Sequence, residues 1–351
     1  MTETITRDEF YDIYNKKLEP QLEELEVERK KEDTKAKRCY LILLLILPIG
    51  IFTFQNVGFM GFVISFIVLL VITFSIIKKI QETFRQKLKR EVISKILQIY
   101  GNIYFSDNKD IISLKEIKNM GLFPDASQKL TDDVIIGEDK GWNFSISETI
   151  LTHQETRGSG DSRSTETITD FSGIIVKIQM KKKFHGKTIV GWKGYVRKLK
   201  GFESVELESI DFMKYRNVYS TDQIEARYIL TTSFMERLAE LGKIFFSETT
   251  TITGNNEIAT RMQMAAGAGS YSNQPIIKAP EFAQKMIIDS IEKATGVNAA
   301  FIDGYAYLFI PTSDDFFEAP AGYLLKPDEY YKIIIQLKTI LNVIEFLNCI
   351  F

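Results

Sequence analysis

The residues best placed to do chemistry lie between positions 222 and 236. They combine carboxylates, a guanidinium and a phenol in one short stretch: Asp222, Glu225, Arg227, Tyr228 and Glu236. Such a group could line a charged cleft that binds a ligand, as in a sensor or an enzyme. It could instead be a structural network, in which Asp222 or Ser220 caps a turn and Arg227 pairs with a nearby glutamate. We favour the structural interpretation, because charged clusters without chemistry are common.

A second candidate site is a run of basic residues that contains no acid and has aromatic residues among its charges. Its cations are Lys181, Lys182, Lys183, Lys187, Lys193, Arg197, Lys198 and Lys200. On a membrane-tethered domain, each basic residue near anionic lipid heads would contribute about 1 kcal/mol. The same lysines could form a solvated hairpin that discourages edge-to-edge strand pairing. Both interpretations stay open on the sequence alone.

The composition disfavours several other classes of site. The 351 residues include 44 Lys and Arg against 46 Asp and Glu, a formal net charge of −2, which argues against a nucleic-acid partner. Two histidines and two cysteines argue against a metal centre or a disulfide scaffold. The sequence contains no Walker-type glycine loop and no GxSxG or HExxH motif. We therefore expect neither a metal nor a cofactor.

Two uncharged apolar runs predict a transmembrane hairpin over residues 39–77. The first run extends from Cys39 to Phe54 and the second from Phe59 to Ile77, with a four-residue polar turn between them. The second is long enough to cross a hydrocarbon core of about 30 Å as a helix, whereas the first must borrow turn residues. Lys and Arg flank both outer ends, and the turn is uncharged. The positive-inside rule therefore predicts two spans in the cell (inner) membrane, with both termini cytoplasmic.

The residues before the hairpin, 1–38, predict an amphipathic helical arm. Thr6 and Glu9 form a candidate capping box, and Pro20 is expected to kink or break the helix. Apolar residues recur at helical spacing along one face: Phe10, Ile13, Tyr14, Leu18, Leu22 and Leu25. This stripe could pack on the chain's own helices or form a coiled coil with another copy. Self-packing is favoured, because the stripe is shorter than three or four heptads.

Residues 78–100 predict a juxtamembrane helix, and residues 101–351 a cytosolic domain of the α+β class. Strand-like alternation over 133–154, 168–179, 188–197 and 301–310 predicts an antiparallel sheet, with turns at Asp139–Lys140–Gly141 and Asp303–Gly304. Helical patterns over 112–119, 232–241, 281–294 and 327–346 would back it. The polar stretch 156–165 predicts a loop, and 246–280 a flexible insert. The expected core residues are Ile135, Trp142, Phe144, Ile146, Ile150, Phe171, Ile174, Val176 and Ile178.

Several segments resemble an uncharacterised bacterial membrane-protein family, domain of unknown function 3137. The most specific extends from Leu207 to Leu238 and reads LESIDFMKYRNVYSTDQIEARYILTTSFMERL. The segments FSGIIVKIQM and FIDGYAYLFI are also similar, as is the layout of arm, hairpin and cytosolic domain. Residues 246–297 resemble an insertion. The resemblance implies a bacterial, membrane-anchored protein and no established activity.

These features favour a non-enzymatic, membrane-anchored module. Its cytosolic domain would bind a partner membrane protein, another copy of the chain, or anionic lipid heads of the inner leaflet. The alternative is a ligand sensor or enzyme with a polar site around Asp222–Arg227. A channel component is disfavoured, because two spans without intramembrane charge cannot line a polar pathway without oligomerising.

Overall fold

The chain forms two compact units. The helical unit comprises Met1–Tyr100 and Phe317–Ile340, and the sheet unit comprises Gly101–Phe316 and Leu341–Phe351. The structure, a computed structural model, describes residues 5–39, 58–106, 108–157, 163–181, 183–239, 241, 296–312, 317 and 322–350. Apart from Cys39, the first predicted span lies outside these residues, as do the predicted insert 246–280 and the predicted helix 281–294.

The N-terminal arm is helical from Arg7 to Cys39. It comprises α1 (Arg7–Ile13), a π-helical turn (Tyr14–Leu18) and α2 (Glu19–Cys39). The predicted capping box is confirmed, since the Thr6 hydroxyl accepts from the Glu9 N–H and the Glu9 carboxylate accepts from the Thr6 N–H. Of the predicted kink or break at Pro20, the break is wrong, because the helix continues through this residue. Proline has no N–H to donate to the carbonyl four residues earlier, and the wider π-helical turn lies at that position.

The apolar stripe of the arm is buried within the helical unit itself. Phe10, Tyr14, Leu18, Leu22 and Leu25 are all buried. The ring of Phe10 lies 5.4 Å from that of Tyr331, and the ring of Tyr14 lies 6.0 Å from that of Tyr330. The stripe therefore packs on the chain's own helices, as the self-packing interpretation predicts.

A second long helix contains the predicted second span. It comprises α3 (Phe59–Leu88), a π-helical turn (Lys89–Ile93) and α4 (Ser94–Leu97). Its most apolar 18-residue window is long and apolar enough to cross a membrane, and only 12% of that window is buried. A core helix of a soluble protein would be mostly buried, so this helix lacks the cover that such a role requires. It is the one candidate span among the described residues.

The sheet unit is built on one antiparallel sheet, in the order β1-β2-β3-β4-β9-β8-β5-β7-β6. The described residues thus form a mixed helix and sheet fold with nine strands, as the α+β prediction requires. The strands are β1 (Asn102–Phe105), β2 (Gln128–Asp139), β3 (Trp142–Arg157), β4 (Ser164–Gln179), β5 (Thr188–Trp192), β6 (Glu203–Ser204), β7 (Arg216–Ser220), β8 (Asn298–Ile302) and β9 (Tyr305–Pro311).

Two tight turns set the register of the hairpins. Lys140 and Gly141 have φ of 50° and 78° between β2 and β3, and Asp303 and Gly304 have φ of 52° and 82° between β8 and β9. Positive φ at both central residues matches the twist of the flanking strands. Both turns predicted from the sequence are confirmed.

The predicted core is buried except at one position. Ile135, Trp142, Phe144 and the other expected residues are buried, but Ile150 is 38% exposed. Side chains alternate between the faces of a strand, so Ile150 shares a face with Phe144. The cover on that face ends before position 150, whereas its neighbour Leu151 is buried on the opposite face among Phe123 and Phe171.

Two predicted boundaries in the sheet are wrong. The strand expected over 188–197 ends at Trp192, where Gly194 has a φ of 102° and the chain turns. The loop expected over 156–165 is shorter, because Thr156 and Arg157 pair with Thr165 and Ser164 as a two-stranded extension. The short strands β6 and β7 were not predicted.

Helices complete the described part of the fold. They are α5 (Leu114–Asn119), α6 (Ile210–Tyr215), α7 (Gln223–Ile229), a helical stretch over 232–239, and α8 (Pro327–Ile350). The predicted helices among them agree with the structure except for small shifts at their ends, whereas α6 and α7 were not predicted. Residues Pro327–Ile340 of α8 belong to the helical unit and the rest to the sheet unit.

Candidate functional site

The predicted polar cluster is organised around the first turn of α7. The Asp222 Oδ1 atom accepts hydrogen bonds from the N–H groups of Ile224 and Glu225, at 2.9 and 3.0 Å. These are two of the donors that a helix leaves without intrahelical partners at its N-terminus. Asp222 is thus the N-cap of α7.

Glu225 fixes the loop between β4 and β5 to the same helix. Its carboxylate accepts from the N–H of His185 at 2.9 Å and from the N–H of Gly186 at 2.6 Å. A Cβ atom on Gly186 would lie 2.7 Å from the Cβ atom of Asp222, so only glycine allows this approach. The carboxylates of Asp222 and Glu225 therefore both accept hydrogen bonds from backbone donors.

Hydroxyl groups next to the loop between β4 and β5 form further hydrogen bonds. Ser220 and Thr188 are buried, and their hydroxyl oxygens lie 2.9 Å apart across the β5–β7 pair. The Thr221 hydroxyl accepts from the N–H of Lys187 at 2.8 Å. These hydrogen bonds, with those of Asp222 and Glu225, hold the start of α7 and the loop between β4 and β5 against the sheet.

The remaining residues of the predicted cluster point elsewhere. The guanidinium of Arg227 donates to the backbone oxygen and the Oε1 atom of Gln223, at 3.1 and 3.2 Å, instead of to a glutamate. Glu236 is exposed on the helical stretch over 232–239. The structure therefore brings Asp222 and Glu225 together and leaves Arg227, Tyr228 and Glu236 facing outward.

The outward face of α7 carries an apolar surface that the sequence analysis missed. Ile224 is 84% exposed and Tyr228 is 53% exposed, one helical turn apart, with Arg227 between them. Ala226 and Ile229 are buried on the opposite face. The helical spacing of these residues was the available signal. We call Ile224, Arg227 and Tyr228 the α7 face.

The predicted basic stretch is divided between the two ends of β5. Lys181, Lys183 and Lys187 precede the strand, whereas Lys193, Arg197, Lys198 and Lys200 follow it. The five residues of β5 separate the groups by about 16 Å. Lys182 lies outside the described residues.

Several of these cations already have partners within the sheet unit. The Nζ atom of Lys181 lies 5.0 Å from the ring centre of Trp142, and that of Lys187 lies 3.3 Å from a carboxylate oxygen of Asp303. Lys193 donates to the carbonyl of Lys214, and a guanidinium nitrogen of Arg197 lies 3.9 Å from Asp125. Lys183, Lys198 and Lys200 are exposed. Four of the seven described cations of the stretch thus have a partner within the sheet unit, and the other three are exposed.

Each of the two histidines contacts a carboxylate, His153 through its side chain and His185 through its backbone N–H. His153 Nδ1 lies 2.9 Å from both carboxylate oxygens of Asp170, and this hydrogen bond raises the pKa of His153. His185 is exposed and offers its backbone N–H to Glu225. Within the described parts of the chain, no three His, Cys, Asp or Glu residues are arranged to hold a metal ion.

Comparisons with known proteins identify a family over part of the chain. No curated protein and no solved structure matches this chain. A family model described as "Protein of unknown function (DUF3137)" matches residues 169–265. The match contains β5, β6, β7 and α7 together with the Leu207–Leu238 segment, and it extends into the segment from 246 that resembled an insertion. The resemblance found in the sequence is confirmed, since residues 169–265 of this chain match the model of the DUF3137 family of proteins of unknown function.

Proposed function

We propose that this protein is a membrane-anchored, non-enzymatic module that binds a partner protein through the α7 face. The observation that carries this proposal is the exposure of Ile224 and Tyr228 on a helix that Asp222 and Glu225 hold in place. Tyrosine and arginine on a rigid surface suit protein recognition, because both are enriched at the centres of protein interfaces and tyrosine buries a large area with little loss of side-chain freedom.

The charges around the α7 face favour a protein partner over the inner leaflet. Glu203 of β6 accepts a hydrogen bond from Gln223, so one acidic side chain lies beside the first turn of the helix. The loop held by Glu225 places basic Lys183 and Lys187 in the neighbouring segment. A uniformly anionic lipid surface would gain on one side and be repelled on the other. A protein partner can match both.

The anchor in this proposal is a hairpin of two spans in the inner membrane, with both termini cytoplasmic. It is supported by the two apolar runs, by the basic residues at their outer ends and by the exposed, apolar window of α3. A cysteine placed at Asn56, after Cys39→Ser and Cys349→Ser, tests it in intact cells. The hairpin predicts labelling by a membrane-impermeant thiol reagent, whereas a cysteine placed at Thr2 stays unlabelled. Labelling of the Thr2 site alone would contradict this topology.

Affinity capture from cross-linked native membranes tests the binding function. Tagged full-length chain is compared with an Ile224→Ser, Tyr228→Ser variant, and captured proteins are quantified by mass spectrometry. The matched control is Leu130→Ser, which changes a side chain that is 67% exposed in the same unit. We expect one dominant partner that falls about tenfold or more in the α7-face variant and is unchanged in the control, since removing central anchors of an interface costs more than about 1.4 kcal/mol.

Other outcomes would redirect the proposal. A captured second copy of the chain, lost in the same variant, would make the partner a self-contact. Equal capture by all three proteins would contradict a role for the α7 face. Binding of the chain to anionic vesicles that about 0.5 M salt releases would support an inner-leaflet contact instead.

The geometry gives no independent support to a ligand sensor or enzyme around Asp222–Arg227. Asp222 Oδ1 and both carboxylate oxygens of Glu225 accept hydrogen bonds from backbone N–H groups, which accounts for these carboxylates by a structural role. A ligand would have to displace the hydrogen bonds that hold α7.

A further inference from the structure

The helical unit contains a groove whose lining is entirely basic, amide or apolar. It has a volume of about 510 Å³, within the range of about 300–1,000 Å³ typical of small-molecule sites. Its lining consists of Ile13, Lys16, Lys17, Leu18, Pro20, Gln21, Lys95, Gln98 and Ile99. We call this the lysine groove. None of the described side chains that line it is acidic.

The three lysines come from distant parts of the sequence. Lys16 and Lys17 belong to the arm, whereas Lys95 belongs to α4. The Nζ atom of Lys95 donates to Gln21 Oε1 at 2.5 Å across the two segments. Neither Lys16 nor Lys17 has an ion-pair partner within the described part of the chain. Three lysines thus line one groove, and no acidic residue is among the lining residues.

A second groove of the same unit has a lining of mixed charge. It has a volume of about 350 Å³ and lies between α2 and α3. Its cations Lys79 and Lys87 are balanced by Glu28 and Glu32, and Lys87 pairs with Glu28. The lysine groove lacks such compensation, so an anion would relieve its repulsion.

Backbone irregularities also concentrate at the lysine groove. The π-helical turn Tyr14–Leu18 contributes Lys16, Lys17 and Leu18 to the lining, and the π-helical turn Lys89–Ile93 ends two residues before Lys95. Such turns are rare and are found most often at functional sites. They widen the helix and change the direction of the side chains that follow.

We infer that the lysine groove binds a soluble small organic phosphate. The lysines would hold the phosphate, Gln21 and Gln98 would donate amide hydrogen bonds, and the apolar side chains would contact the remainder of the ligand. This inference goes beyond the proposed function and does not use the α7 face.

The same phosphate chemistry occurs in a lipid headgroup, and distance distinguishes the two sources. Lys95 follows Ile77, the last residue of the proposed span, by 18 residues, which is about 27 Å of helix. A headgroup of the anchoring bilayer lies near Ile77 and would not reach the groove. This step rests on the proposed span.

Isothermal titration calorimetry of the full-length chain in phosphatidylcholine nanodiscs tests the inference, with phenyl phosphate as the probe. We expect saturable binding that weakens about tenfold or more in a Lys16→Gln, Lys17→Gln, Lys95→Gln variant. Replacement of the same three lysines by arginine, which retains the charge, should keep binding within about threefold. The matched control is Lys31→Gln, Lys109→Gln, Lys115→Gln, which removes three exposed lysines elsewhere and should bind as the wild type.

Three results would overturn the inference. They are the absence of saturable binding to the wild type, equal loss in the control variant, and binding of phenyl phosphate that phosphatidylglycerol in the nanodiscs abolishes by competition. The last result would assign the groove to a lipid headgroup. Circular dichroism of each variant separates loss of binding from loss of folding.

Discussion

The two units of this protein use their charged residues in opposite ways. In the sheet unit, the sequence concentrates eight cations between Lys181 and Lys200, and four of the seven described ones pair with a ring face, a carboxylate or a carbonyl. In the helical unit, lysines from two distant segments of the sequence, Lys16–Lys17 and Lys95, line one groove without acidic residues. Charge density along a sequence therefore does not predict charge density in space.

Buried and half-buried carboxylates, in contrast, have the same role in both units, because each holds a distant backbone segment by hydrogen bonds. Glu225 holds a loop of the sheet unit through two backbone N–H groups. In the helical unit, the buried carboxylate of Glu26 accepts hydrogen bonds from the Arg29 guanidinium at 2.8 Å and from the N–H of Leu324 at 3.2 Å. Replacing Glu225 and Glu26 tests whether these carboxylates have the same role in the two units.

The largest effect is expected for Glu26→Ala. The change leaves Arg29 and the Leu324 N–H without their acceptor, which should lower the free energy of unfolding by about 3 kcal/mol. The hydrogen bond from Arg29 lowers the pKa of Glu26. Its contribution is therefore present above the carboxyl pKa of the unfolded chain and lost as the pH falls through the lower folded value. Thermal unfolding in detergent measures the change, and Glu32→Ala, which removes a surface pair with Lys35, should cost less than about 0.5 kcal/mol.

A smaller loss is expected for Glu225→Ala in the sheet unit. Two backbone donors lose a charged acceptor, which should destabilise the loop by about 2 kcal/mol. Hydrogen exchange at the amides of His185 and Gly186 should accelerate accordingly. Replacement of the exposed Glu206 by alanine is the control. Unchanged exchange in Glu225→Ala would show that Glu225 does not hold this loop.

A gain is expected where the helical unit buries a polar atom without a partner. The Tyr14 and Tyr330 hydroxyls are buried, and neither has a hydrogen-bond partner among the described residues. Burial raises the pKa of Tyr14 to about 12. Tyr330→Phe should therefore stabilise the helical unit by about 1 kcal/mol in thermal unfolding. Destabilisation would show that the hydroxyl has an unseen partner, such as an ordered water.

The smallest effect concerns the His153–Asp170 pair, which joins β3 to β4. The hydrogen bond to Asp170 raises the pKa of His153 above its usual value of about 6.5. The protonated pair thus stabilises this part of the sheet below about pH 6.5, and the contribution is lost as the pH rises through the folded-state pKa. An NMR titration should show a lower His153 pKa in Asp170→Asn. An unchanged pKa would exclude Asp170 as its cause.

Local chemistry explains what the sequence could predict. The turns at Lys140–Gly141 and Asp303–Gly304 and the Thr6–Glu9 capping box depend on adjacent residues, and all three were predicted correctly. The arm's burial follows from a helical stripe. These features need no knowledge of the remaining chain.

Long-range contacts explain what the sequence could not predict. Strand β6 has only two residues, and it is recognisable as a strand only by its pairing with β7. Ile150 has the correct alternation but lies beyond the cover of its face. The lysine groove brings positions 16, 17 and 95 together through helix packing, so no local sequence pattern predicts it. The α7 face was visible as helical spacing, but its exposure was not.

Site-specific photo-crosslinking from the α7 face tests the proposed function most directly. A benzoylphenylalanine is incorporated at position 228 and, in a second protein, at the exposed position 130, and both are irradiated in living cells. The account predicts one discrete crosslinked species from position 228 that is absent from position 130 and is reduced by Ile224→Ser. The same species from both positions, or none from position 228, would contradict it.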